Sequence, residues 1–481
     1  MVFAMAATAN SGGYRYGVSD QAFYTAAVLK DLNPSLYPRD SGLLDTESGL
    51  MWSDQIVAGL SRALNVDLPP LYFALYLTTL VLLFAAAVAF GRAAGMSWWA
   101  IAVLIALLTL RHRIARTGAN SLEGYMHPRM LAFGLGVFAL AEVLRARYGR
   151  AVIWIALAAC WHPTTAFWFG GAVGGAMLLG PPVWRRTALG LALIGAAVGL
   201  WAVTVGPLSG RLVAMDPAWL AVIAEKDYLF PHEWPIDAWA MNLAYPIAIV
   251  FIYRRRRALG LLAPGESSLA AGLIALAVLF LMTVPLTMMR LALAVQMQIT
   301  RVFWVLDFAA IAYVCWWLMD DRLGRSGAAR RVVVAVVLAG SLARGAFLLA
   351  DGRPLFTVNA PASSWMQAMS WLKGQPANLY VLADPIHTFR YGVSVRVAAE
   401  KDTLVERAKD TALAMYDRDL AIRVADRLWA VRDFNRASTV DFLAIGARYG
   451  LDVLVVERGH PLPLDLPELY RNEMFVMYRL R

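Results

Sequence analysis

Long apolar runs separated by short basic stretches make up most of the chain. A bilayer span needs about 20 apolar residues. Spans are predicted at roughly 68–91, 94–110, 130–146, 187–208, 236–253, 268–289, 302–320 and 332–350. A further run, 151–180, is interrupted at WHPTT (161–165) and reads either as one long tilted span or as two short half-helices turning near Pro163. The opening VFAMAA is too short to span, and reads as the end of a helix whose beginning is missing. The expected fold class is a polytopic α-helical membrane protein of about 10–11 membrane helices, with a small C-terminal α/β extracytoplasmic domain.

The pattern changes near residue 352. LYVLADP (379–385), LDVLVVE (451–457) and MFVMYRL (474–480) read as strands, and VSVRVAAE (393–400) alternates like one. Residues 402–433 carry helical periodicity. The predicted division is a membrane domain, 1–351, with a first extracytoplasmic loop at 11–67, and an α/β domain, 352–481. RYGVS occurs at 15–19 and again at 390–394, with flanks that do not match, and is read as coincidence.

Composition supports the membrane assignment. The 481 residues are 59% hydrophobic and 16% charged, against about 45–50% and about 25% for a soluble domain. The mean hydropathy is +0.55. Seventeen Trp and 18 Tyr suit interfacial belts. The net charge of +10 comes mostly from arginines between apolar runs, so it reads as membrane topology and not as nucleic-acid binding. Cys160 and Cys315 lie in apolar runs and form no metal or disulfide pattern, and no cleavable signal peptide is visible.

The positive-inside rule places Arg145/Arg147/Arg150, Arg185/Arg186, Arg254–Arg257 and Arg322–Arg331 on the cytoplasmic side. The loops 11–67, 111–129, 209–235 and 290–301 and the tail then lie outside, in a bacterial cytoplasmic membrane. RHRIAR (111–116) breaks that rule, so either the topology differs there or those cations meet an anionic partner.

Four polar features fall on the outer side. Asp20, in GGYRYGVSDQAFY, is either a general base or the N-cap of the helix that follows. Tyr16 and Gln21 flank it. Glu123, His127 and Arg129, in NSLEGYMHPRM, either reach a phosphate or sugar or form an interfacial loop. His162 either lines a pocket or satisfies backbone at the helix interruption. Arg290 and Arg301 either hold a phosphate or snorkel to the interface. No Walker loop, dinucleotide glycine run or zinc motif is present.

This arrangement resembles the glycosyltransferase C superfamily. The likeness lies in Asp20 within a long first outer loop, ten or more spans with paired short helices, a late outer arginine and an outer α/β tail. It covers most of the chain as architecture and is loose as a motif. The resemblance implies transfer of a sugar from a polyprenyl-phosphate carrier to an acceptor hydroxyl, with Asp20 as base or metal ligand. It implies a phosphate held by Arg301, Arg290 or Arg129, and a substrate pocket of Tyr16, Gln21, Glu123, His127 and His162. A divalent metal is left open, as is the oligomeric state. The expected partners are the bilayer and the lipid-linked sugar, with no nucleic acid. The chain departs from the pattern in two ways: Glu123 is the only candidate for a second outer-loop acid, and the first helix is truncated. A lipid or solute transporter and a non-catalytic assembly protein are the alternatives.

Overall fold

Among the described residues of the computed structural model, which are 1–360 and 362–481, six helices are long and apolar enough to cross a membrane. They are Leu68–Ala93, Pro182–Thr204, Ile236–Ala258, Glu266–Met288, Ala292–Arg322 and Gly327–Leu349; Trp98–Leu108 and Tyr148–Trp161 are apolar but shorter. The chain groups into two units. The first is Met1–Tyr14, Ala74–Ala214 and Lys226–Phe356; the second is Arg15–Phe73, Met215–Glu225 and Thr357–Arg481.

In the first unit, VFAMAA begins a helix that runs Val2–Asn10. The run 151–180 is two helices, Tyr148–Trp161 and Pro163–Leu179, broken at His162. Proline at the first helical position lacks only an N–H that would have no partner there, so His162-Pro163 stops one helix and starts the next. Helix Pro163–Leu179 packs on Glu266–Met288 so closely that a Cβ on Gly272 would lie 2.1 Å from the Ala172 carbonyl oxygen. Small residues permit that approach, which gives apolar helices their dispersion contacts. Helix Val302–Trp316 is buried almost throughout, whereas Pro182–Thr204 exposes Leu193, Ile194, Leu200 and Trp201. The cluster Arg254–Arg257 is not uniformly a surface charge. Arg256 is buried, 2.5 Å from Glu266, with its guanidinium 4.4 Å from the Trp316 ring.

The second unit combines the first loop with the tail. Its sheet has five strands, β1 (Tyr380–Leu382), β2 (Asp402–Thr403), β3 (Val453–Glu457), β4 (Glu468–Arg471) and β5 (Phe475–Arg479), in the order β2-β1-β3-β5-β4. β2, β1 and β3 are parallel, and β5 and β4 join antiparallel. Leu382, Leu404, Leu454, Val456 and Phe442 share its core. The expected strand 393–400 is instead a helix, Val395–Ala399. The alternation misleads because Val395, Arg396, Val397, Ala398 and Ala399 are all buried. Arg396 has carboxylates in place of solvent: Asp40 at 2.8 Å and Asp410 at 2.7 Å. The helical stretch 402–433 is divided into Arg407–Leu413 and Arg418–Ala430, with the Asp417 carboxylate capping the second by accepting from Leu420 N–H. The two RYGVS segments pack together: a Cβ on Gly17 would lie 2.9 Å from Val393, and helix Gln21–Leu32 packs on Val395–Ala399. Each segment leads into a helix through a glycine at positive φ, Gly17 at +79° and Gly392 at +94°.

Candidate functional site

In the second unit, Asp20 stands at the N-cap position of Gln21–Leu32, but its carboxylate makes no capping bond. Lys409 donates to it at 2.6 Å, and both side chains are largely sheltered. The turn before it is shaped by Ser19 at φ +55° and by Gly17, whose N–H donates to the Gln21 amide oxygen at 2.6 Å. Gln21 is fully buried. Tyr16 lies edge-on to Tyr72 and lines a cleft of about 600 Å³ with Lys373, Asn359 and Glu400. Burial, with the Tyr72 hydroxyl and the Glu400 charge, holds the Tyr16 hydroxyl well above its ordinary pKa.

In the first unit, a second group forms at three helix starts. His127 precedes Pro128–Leu144, and its ring nitrogen accepts from the Arg129 N–H at 3.3 Å. His162 precedes Pro163–Leu179, and its Nδ1 accepts from the Thr165 N–H at 3.2 Å. The same device thus occurs twice, a histidine capping a helix whose first residue is proline. The two rings are 6.4 Å apart. Arg301, at the start of Val302–Trp316, and Arg129 both act electrostatically on His162. The Arg301 Nε is buried without a hydrogen-bond partner among the described residues. Glu123 is buried between cations, 2.5 Å from Arg129 and 3.3 Å from Arg111. Arg290, at φ +57° beyond the end of Glu266–Met288, is exposed.

The basic stretch RHRIAR meets acids of the same unit. Arg111 pairs with Glu123, His112 with Asp307 at 3.1 Å, and Arg116 with Asp227 at 2.5 Å. The bond to Asp307 raises the His112 pKa against the opposing effect of burial. The anionic partner of this stretch is therefore supplied internally.

Lys409, the two-sided neutralisation of Glu123 and the pairing of His127 with His162 were not drawn from the sequence. The last had a signal there: two of the three His-Pro dipeptides open an apolar run. Among the described residues no group of three or more His, Cys, Asp or Glu is placed to hold a metal, and Asp20 is paired with Lys409. The sequence matches no family model and no curated protein.

Proposed function

We infer that the protein is a multi-pass membrane glycosyltransferase, resident in a bacterial cytoplasmic membrane, which takes a sugar from a polyprenyl-phosphate carrier. The observation that carries this reading is the group formed by the helix starts at His127 and His162 with the guanidinium groups of Arg129 and Arg301. A helix N-terminus carries partial positive charge and unpaired N–H groups, and so favours anions. Here two such ends, at His127 and His162, come with two guanidinium groups and two imidazoles, beside helices apolar enough for lipid. A lipid-linked phosphate has that combination of charge and hydrocarbon.

In this reading Arg301 and Arg129 hold the carrier phosphate and stabilise it as it leaves. For the acceptor hydroxyl the candidate base is Asp20, which Lys409 keeps in place. Glu123 fixes Arg129 and does not act as a second acid. Cells carrying wild-type protein, a deletion, Asp20→Asn or Arg301→Ala test this by mass spectrometry of extracted lipids. A polyprenyl-linked sugar is expected to accumulate in all three altered strains, with transfer by the arginine variant down about a hundredfold. Unchanged lipids with the protein correctly inserted would overturn the reading.

A further inference from the structure

In an open sheet of parallel strands, ligands bind beyond the carboxyl ends, where connections from neighbouring strands leave in opposite directions. The tail sheet has one such point. β1 and β3 are parallel neighbours. The chain leaving β1 returns as β2 on one side, whereas the chain leaving β3 returns as β4 and β5 on the other. A crevice opens there. One lobe of about 340 Å³ is lined by Asp384 just past β1 and by Glu457 at the end of β3. A second lobe of about 550 Å³ adjoins it, sharing Asp384, Ile386, Phe434 and Asn435. These volumes are those of small-molecule sites.

The polar floor is already organised. Arg390 bridges the two strand ends, 2.5 Å from Asp384 and 2.9 Å from Glu457, and the Tyr391 hydroxyl donates to Glu457 at 2.9 Å. His387 ties down the turn after β1: its Nδ1 lies 2.8 Å from the Asp384 carbonyl, and its Nε2 accepts from Val395 N–H at 3.2 Å. At the rim Trp429 is 65% exposed, with the Arg432 guanidinium 3.9 Å from its ring.

The chemistry selects the ligand. Three carboxylates line the crevice, Asp384, Glu457 and Glu225, against three guanidinium groups, Arg390, Arg407 and Arg432. The lining is therefore electrically balanced. The turn after β1 reads ADPIHTF, without the glycines that let a backbone cradle phosphate, and the helix after it, His387–Tyr391, has five residues. A nucleotide is thereby disfavoured. Paired carboxylates, guanidinium and amide suit adjacent hydroxyls, and an exposed indole suits the C–H face of a sugar ring.

We propose that this crevice is a binding site for a neutral saccharide. Its lining includes neither Asp20 nor Arg301; only its role as the place that holds the acceptor rests on the transferase reading. Calorimetry needs no turnover, so it separates the two ideas. Full-length protein in lipid nanodiscs would be titrated with maltopentaose, mannopentaose, cellopentaose and arabinopentaose, and with ATP as the anionic control. One or more saccharides is expected to bind. Trp429→Ala, a change at an exposed side chain, and Asn435→Ala are each expected to weaken binding roughly tenfold, with the melting temperature unchanged. No saccharide binding, saccharide binding that both variants retain, or a site filled by ATP instead would each overturn the proposal.

Discussion

Arg396 is the residue on which the second unit most depends. It is fully buried, and its guanidinium reaches Asp40 in the first loop and Asp410 in the tail. Removing one partner of a buried pair leaves charge with no compensation, at a cost of about 3–5 kcal/mol. Arg396→Met is therefore expected to abolish protease resistance of this unit, because Arg427, at 3.7 Å from Asp40, is a weaker substitute. Adding Asp40→Asn and Asp410→Asn removes the stranded charges and is expected to restore most of it, as limited proteolysis would show. None of this was legible in the sequence. Arg396 sits in a run of valines, and its partners lie 356 and 14 residues away. Asp20 was legible because it opens a helix beside aromatics, but Lys409 is 389 residues distant. Charge clusters were legible as clusters and not as pairs: RHRIAR looked like a free cationic surface, and Arg256 like one of four equivalent arginines, because sequence shows a charge and not its counter-charge.

At the scale of elements, the long apolar helices followed their hydrophobic runs, but the run 94–110 holds only the short helix Trp98–Leu108, and among the described residues six helices, not ten or eleven, are long and apolar enough to cross. The tail was harder. β3 and β5 are continuous apolar runs and were readable, but the helix Val395–Ala399 imitates a strand because every side of it is buried. The RYGVS repeat, dismissed on its flanks, marks two glycine turns that pack on each other. The helix Arg407–Leu413 offers a pH test. Its N-cap, Glu406, accepts from the Lys409 N–H at 2.8 Å while buried near Asp410. Burial, then the Asp410 charge, raises its pKa to about 7. The folded state thus holds this proton more tightly than the unfolded chain does, so the stabilisation is complete below about pH 4.5 and is lost as pH rises through about 7. Glu406→Gln keeps the capping oxygen and cannot ionise. It is expected to melt like the wild type at low pH and above it at pH ~8, the gap opening between those limits in melting curves.

For the whole molecule, contacts inside the second unit restrict how a membrane-embedded chain is threaded. Asp40, Asp216 and Arg418 belong to one unit, with Arg418 paired to Asp216 and Arg396 to Asp40. Its three segments must then share one side of a bilayer, so the chain between consecutive segments crosses an even number of times. Between residues 73 and 215 the two helices long enough to cross, Leu68–Ala93 and Pro182–Thr204, meet that parity, and the shorter helices between them must then add an even number of passes, as Tyr148–Trp161 and Pro163–Leu179 do when counted as a pair. Four passes then remain between 225 and 357. Reporters fused after residue 260 and after residue 400 are expected on opposite faces; finding both on the same face would contradict this threading.

The Asp40–Arg396 bond also has a consequence in time. Asp40 leaves the ribosome 356 residues before its partner exists. At about 5–20 residues per second, the first loop waits roughly 20–70 s with its acid unanswered and half of its core unmade. Throughout synthesis it is a folded unit's missing half, exposed to whatever proteases and chaperones share its compartment. A chain that stops anywhere short of the tail leaves it in that state for good.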